Sequence, residues 1–279
     1  MHCALRGRTS MTTKSITSRD NPLYKELRLL ATSSQARRRS GRTLLDGVHL
    51  CEAYLQQVGM PHLCVIGESA RTHPEVVVLM AACDAGNTAC IVLPDALFQA
   101  LSQVEHGVDL LFVVDTPQQA ANPRLTQSAV LLDNLQDPGN LGSILRSAAA
   151  AGIASVFCSP GTAFAWAPKV LRAGMGAHFL LSIAENVDLA ALIADSSIPV
   201  VATSSHTTTS LYALDLQQPV AWLFGHEGQG VSEPLMALAT HRVAIPQPGA
   251  IESLNVAASA AICFFEQVRQ QSKAPAPSR

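Results

Sequence analysis

Asp137, Pro138, Gly139 and Asn140 make a sharp polar loop that leads, six residues on, to Arg146. A second cluster, Gly225-His226-Glu227-Gly228-Gln229-Gly230, follows an apolar run that ends at Phe224. A third joins Ile245-Pro246-Gln247-Pro248-Gly249 to Glu252-Ser253-Leu254-Asn255, ahead of an apolar stretch at helical spacing. Glycines let backbone approach a ligand closely, and helix openings present free N–H groups. A strand that empties into a Gly/Asn/Pro loop at a helix N-terminus is where open α/β sheets place ligands. No G-x-G-x-x-G follows a strand and no G-x-x-x-x-G-K-[ST] loop is present, which disfavours dinucleotide and P-loop enzymes. Each stretch also has a plainer reading. Asp137-Pro138 makes a turn with Asn140 as helix cap, the glycines serve a tight connection, and Arg146 joins a surface ion pair. In the same plain reading, Glu227 and Asn255 only hold loops together.

The elements that must position these residues follow from apolar spacing. Strand 129–134, helix 142–152 and strand 153–158 form a βαβ unit, followed by helix 187–195 and strands at 199–203, 220–224 and 241–245. A final helix spans 255–270. Upstream, Asn21-Pro22 is a turn signal before a helix carrying Leu23, Leu27 and Leu30, and Ser33 to Arg42 is a polar, basic run closed by Gly41. Strands at 43–46, 63–66, 89–93 and 110–114 alternate with helices at 48–58, 74–82 and 95–103, which makes a small α/β domain. The resulting division is a disordered extension at 1–16, a first domain at 17–115 and a linker at 116–127. A second domain at 128–271 and a frayed tail at 272–279 complete it.

Charge is unevenly spread. Residues 1–42 hold ten Lys/Arg and two acids, while the rest of the chain holds nine and nineteen. A basic arm on an acidic body points to contact with phosphates, the alternative being a solvated tail. The seven cysteines are scattered and form no C-x-x-C pair, so neither a zinc site nor a disulfide framework is expected. Reduced thiols, the absence of a signal-peptide core after Arg6 and Arg8, and the lack of a membrane-length apolar run predict a cytoplasmic protein.

Taken together and in order, DPGNLGSILRSAAAAG, FGHEGQGVS and IPQPGAIESLNVAASAAI closely resemble the three motifs of the SpoU (TrmH-like) branch of the SPOUT RNA methyltransferases, over about 129–266. The segment NPLYKELRLLATSSQARRRSGRTLLDGVHLCEAYL is similar to the substrate-binding domain of the RNA ribose methyltransferases of that family, a fold like small ribosomal-protein RNA binders. The resemblance implies an α/β protein: a small N-terminal RNA-binding domain and a C-terminal α/β-knot domain with a parallel sheet and a trefoil knot. It implies S-adenosylmethionine as cofactor, methylation of a ribose 2′-hydroxyl, a homodimer, and structured RNA as partner, with rRNA favoured over tRNA. By matching positions, Gly225, Ile245 and Leu254 contact the cofactor, and Asn140, Arg146, Glu227, Ser253 and Asn255 are the polar active-site residues. Lys169 and Arg172 match a basic segment on the RNA side, and Arg37, Arg38, Arg39 and Arg42 are assigned to RNA binding.

The implied reaction suits these residue types. The methyl donor is a sulfonium, so no metal is expected. A guanidinium stays protonated, so Arg146 is read as orienting the ribose or phosphate and stabilising developing negative charge, not as a base. The third motif departs from the family in reading Ile-Pro-Gln-Pro-Gly where many members have Ile-Pro-Met, and His226 stands where small or polar residues are frequent. His226 is read as a loop residue. The rival readings are a non-catalytic RNA binder that kept the fold and a small-molecule α/β enzyme with a solvated arm.

Overall fold

The computed structural model describes residues 13–104, 107–117, 123–251 and 253–273, and the chain divides into two units, Met1–Pro117 and Gln118–Arg279. In the first unit the elements run β1 (Lys14–Ser15), α1 (Pro22–Thr32), α2 (Ser34–Ser40), β2 (Arg42–Asp46) and α3 (Val48–Gln57). They continue with β3 (Leu63–Gly67), α4 (Pro74–Ala85), β4 (Ala89–Leu93), α5 (Asp95–Gln99) and β5 (Leu110–Asp115). The sheet order is β1-β4-β3-β5-β2, with β5 antiparallel to β2 and β3 and the remaining pairs parallel.

Local chemistry starts α1 where the turn signal stood. The Asn21 side chain accepts from the Leu23 and Tyr24 N–H groups, and Pro22 fills the first helical position, where its missing N–H costs nothing. One face of α1 buries Tyr24, Leu27, Leu30 and Ala31 against Leu63, Val65, Leu111 and Val113 of the sheet. The Tyr24 hydroxyl, carried into that core, donates to the Leu97 carbonyl at 3.1 Å. The basic run is itself a helix, α2, which ends at Gly41 with φ 64°, a left-handed conformation that favours glycine.

Three boundaries differ from the sequence expectation. Residues 1–12 of the expected extension lie outside the described residues, but Lys14 and Ser15 pair with β4 and Ile16 is buried. The expected linker divides too: Leu125 is buried in the core of the second unit, and its carbonyl accepts from Ser197. The end of the final helix reaches Lys273, and 274–279 lie outside the described residues.

The second unit runs β6 (Ala129–Leu132), α6 (Pro138–Ala150), β7 (Ser155–Cys158), α7 (Pro168–Gly174), β8 (Ser182–Ala184) and α8 (Leu189–Ala194). It ends with β9 (Val200–Thr203), β10 (Ala221–Phe224), α9 (Glu233–Leu238), β11 (His241–Val243) and α10 (Val256–Lys273). The sheet order is β11-β9-β10-β6-β7-β8, and every neighbouring pair is parallel. β6 and β10 are buried throughout, which is why they read as unbroken apolar runs and not as alternating ones. The buried Trp222 indole donates to Gln267 at 2.9 Å and so ties α10 to the centre of the sheet. From β6 the chain builds outward through β7 to β8, then returns to place β9, β10 and β11 on the other side. The order therefore reverses between β6 and β10, whose last residues, Leu132 and Phe224, are in register.

Candidate active site

Such a reversal, beyond the C-terminal ends of the two central strands, is where open α/β sheets place ligands, and the loops after both strands start there. After β6, Asp137 is the helix cap: its carboxylate accepts from the Asn140 N–H at 2.8 Å, and Pro138 begins α6. The sequence reading gave the capping role to Asn140 and started the helix at 142. The cap lies three residues earlier, and this frees the Asn140 side chain for tertiary contacts.

Those contacts join all three motifs. Glu227 Oε1 accepts from the Asp137 N–H at 2.9 Å and from Asn140 Nδ2 at 3.3 Å, and Oε2 accepts from the Gln136 N–H at 3.3 Å. Asn255 Nδ2 in turn donates to Asn140 Oδ1 at 2.9 Å. Asn255 Oδ1 accepts from the Ala257 and Ala258 N–H groups, so the residue that reaches Asn140 also caps α10. The line Glu227–Asn140–Asn255 thus pins the loop after β10 and the start of the last helix to the N-terminus of α6.

Burial pushes the Glu227 carboxyl up, but hydrogen bonds from the backbone of Asp137, Glu227 and Gln136 and from the Asn140 amide outweigh it and hold the group below the usual carboxylate range. A carboxylate held ionised by several donors is a poor proton acceptor, so Glu227 acts as a strut. Its folded value lies below the unfolded one. Its stabilising contribution is therefore present above the ordinary carboxylate value, about pH 4.3, and is lost as pH falls through the folded value. Thermal unfolding followed against pH tests this: Glu227→Gln should melt lower than wild type at pH 7, and the difference should shrink on acidification.

Arg146 lies on α6, exposed, with no ion-pair or hydrogen-bond partner among the described residues. The surface ion pair of the plainer reading is therefore not formed within the described residues. Gly225 is buried, and a Cβ built on it would fall into the backbone of Gly230 and Val231. The loop between them closes on itself through paired His226 and Gly230 backbones. His226 Nδ1 accepts from the Gly228 and Gln229 N–H groups at 3.0 and 3.3 Å, which makes it part of the turn, as its position in the loop implied. Ile245 and Leu254 are half-buried and Ser253 is exposed. Gln247 Oε1 is buried with no hydrogen-bond partner among the described residues.

Sequence reasoning missed Asp133. It follows β6, accepts from the Ser232 N–H at 2.9 Å, and lies 3.5 Å from the Ser159 hydroxyl, so it joins the loops after β6, β7 and β10. Its only signal was its place at the end of an apolar run. Gln247 was quoted as a departure from the family pattern, but its orphaned acceptor was invisible without coordinates.

The basic residues separate. Arg38 and Arg39 are exposed on α2, and Lys169 is exposed on α7 with Arg172 half-buried beside it. Arg42 pairs with Asp115 at 3.2 Å and Glu26 at 3.6 Å. Arg37 contradicts its assignment to RNA binding. It is 6% exposed, and Nη1 donates to the Leu30 and Ala31 carbonyls at the end of α1. These are carbonyls that a helix end leaves without an intrahelical partner. Arg37→Ala should therefore cost about 1.5–3 kcal/mol of stability, the usual scale for hydrogen bonds from a charged group. Arg39→Ala should stay within about 0.5 kcal/mol of wild type. Urea unfolding of the two variants separates them.

The SpoU rRNA Methylase family matches residues 127–265, the stretch that holds all of these loops. An uncharacterized tRNA/rRNA methyltransferase of Synechocystis is 35% identical over 94% of this chain and 96% of its own length. This chain belongs to the SpoU methylase family. The 23S rRNA (guanosine(2553)-2′-O)-methyltransferase RlmP of Bacillus subtilis is 27% identical over 90% of this chain and 98% of its own. Among solved structures, the SpoU methyltransferase AviRb of Streptomyces viridochromogenes, in complex with AdoMet, superimposes with a TM-score of 0.81 at 25% identity. The match covers 91% of this chain and all of that one. The fold is accordingly the α/β class of the SPOUT methyltransferases, with a further N-terminal unit. Among the described residues no helix is long and apolar enough to cross a membrane.

Proposed function

We propose that this SpoU methylase transfers a methyl group from S-adenosylmethionine to a ribose 2′-hydroxyl of ribosomal RNA. The observation that carries the reading is the hydrogen-bonded line Glu227–Asn140–Asn255, which assembles three separate motifs at the N-terminus of α6, the helix that carries Arg146. Relatives named as 23S rRNA 2′-O-methyltransferases, and a structural neighbour bound to AdoMet, support the substrate and the cofactor.

S-adenosylmethionine supplies a methyl group on a sulfonium sulfur. Gly225, Ile245 and Leu254 would hold it, largely by backbone. The orphaned Gln247 Oε1 fits such a ligand, because a buried acceptor without a donor is costly and an amino group on the ligand would satisfy it. Arg146 orients the ribose or its phosphate and stabilises the negative charge left on the 2′-oxygen as its proton passes to solvent and that oxygen takes the methyl group from sulfur. Its fork of donors is suited to both tasks. Asn140 and Asn255 fix the floor of the site, and Ser253, exposed next to Leu254, is available to the substrate. Arg38, Arg39, Lys169 and Arg172 hold RNA phosphates.

The enzyme works in the cytoplasm as a homodimer. Leu180 and Phe265, 58% and 48% exposed, present apolar surface that a second copy would cover. Sedimentation at micromolar concentration should give twice the chain mass, and a monomer throughout would remove the dimer from the account.

Methyl-labelled S-adenosylmethionine and unmodified rRNA test the reaction. A 2′-O-methyl blocks alkaline cleavage, so the expected product is label in alkali-resistant dinucleotides. Label in mononucleotides would mean base methylation. Label in tRNA alone would move the substrate, and no label despite cofactor binding would favour a non-catalytic RNA binder.

A further inference from the structure

Far from these loops in sequence, three cysteines converge in the first unit. Cys64 of β3 and Cys90 of β4 are register partners on parallel strands. Leu63 and Val65 point into the core shared with α1, and strand alternation sends Cys64 to the opposite face. There it meets Cys83, from the last turns of α4. The three sulfurs lie within 4.8 Å of one another, and none is in a disulfide. Cys64 and Cys83 are fully buried, and Cys90 is half-buried, which leaves one edge of the triangle open to entry. Thiolates bound at about 2.3 Å to one tetrahedral or trigonal ion stand roughly 4 Å apart, so a movement under about 1 Å closes the triangle on a cation. The spacings in the chain, 64, 83 and 90, match no zinc-ligand pattern, which is why none was expected from the sequence.

We propose that Cys64, Cys83 and Cys90 form a binding site for one closed-shell, thiophilic cation, Zn(II) or Cu(I). Each thiol gives up its proton to solvent as its sulfur binds. Three sulfur ligands without imidazole or carboxylate select soft ions over Mg(II) or Ca(II). Zn(II) leaves the smaller net charge in the buried site, and the half-exposed side at Cys90 admits a water as fourth ligand. Bound there, the ion ties the end of α4 to the β3–β4 pair.

The test uses the full-length chain, reduced and metal-stripped under nitrogen, and titrated with Zn(II) or Cu(I) against a chromophoric chelator. One ion per chain is expected. Affinity should fall at least roughly tenfold in Cys64→Ser and Cys90→Ser, and should be unchanged in Cys158→Ser. Wild-type melting should rise with the bound ion and not in the two variants. The arm that binds identifies the ion. Should the variants fail to fold, alkylation of the wild type decides: the ion should protect Cys90 from a maleimide. No binding of either ion, affinity retained in both variants, or oxidation of two of the three thiols to a disulfide with no metal bound would each overturn the site and leave three packed, inert thiols.

Discussion

Arg146→Ala should lower methyl transfer by roughly 10²–10³-fold while leaving cofactor affinity within a few fold. The size is that of removing one preorganised donor aimed at developing negative charge. Arg146 is exposed and has no partner among the described residues, so its removal leaves no acceptor there unpaired and breaks no hydrogen bond or ion pair among them. Stability should therefore hold within about 0.5 kcal/mol, the ordinary range for a surface change. Arg146→Lys should recover only a small part of the rate, because an ammonium keeps the charge but loses the planar fork. Single-turnover rates with saturating RNA, together with equilibrium binding of S-adenosylmethionine, separate chemistry from binding. A loss confined to RNA affinity would make Arg146 a docking residue, and a rate within threefold of wild type would remove it from the active site.

Gly225→Ala should weaken cofactor binding at least roughly tenfold while the unit stays folded. A Cβ at 225 falls within the Gly230 backbone, and no rotamer change relieves a clash between a Cβ and main chain. The turn closed by His226 and Gly230 has to open, and it carries Glu227 with it. The bonds from Glu227 to Gln136, Asp137 and Asn140 then lose their geometry, so one methyl group disturbs two of the three motifs. The core strand β10 ends before the change, and circular dichroism should keep its native shape. Calorimetric titration should show at least a tenfold weaker cofactor. Unchanged affinity would mean that the 225–230 turn does not border the cofactor. Gly228→Ala is the matched control, because a Cβ there meets only the His226 ring, at 3.7 Å.

Much of this was written in one dimension. Apolar runs bounded by turn residues marked β6, β7, β9 and β10 to within two residues, because a strand buried on both faces has to be apolar throughout. Asn21-Pro22 announced α1 through capping chemistry that acts within three residues. The three motif loops were legible for the same reason: glycine, proline and asparagine report backbone conformation locally. What failed were statements about partners. Arg37 looks like its neighbours Arg38 and Arg39 in a basic run, yet the helical turn aims it at the carbonyl end of α1 while the others face solvent. Lys14 to Ile16 look like tail until β4 offers them an edge. Leu125 looks like linker until it meets the core of the second unit.

The chain by itself determined the class, the order of elements and the loops that join them, because propensity, capping and apolar period act over a few residues. The three motifs were legible as a set through their resemblance to the SpoU family, which no single loop carries. Only the tertiary structure decided that Glu227 is a strut, that Arg146 has no partner among the described residues, that Gly225 is required by a main chain five residues away, and that Cys64, Cys83 and Cys90 meet. Each of those facts depends on hydrogen bonds or contacts formed across strands and helices, whose distances are set by sheet register and helix packing and leave no trace in local spacing.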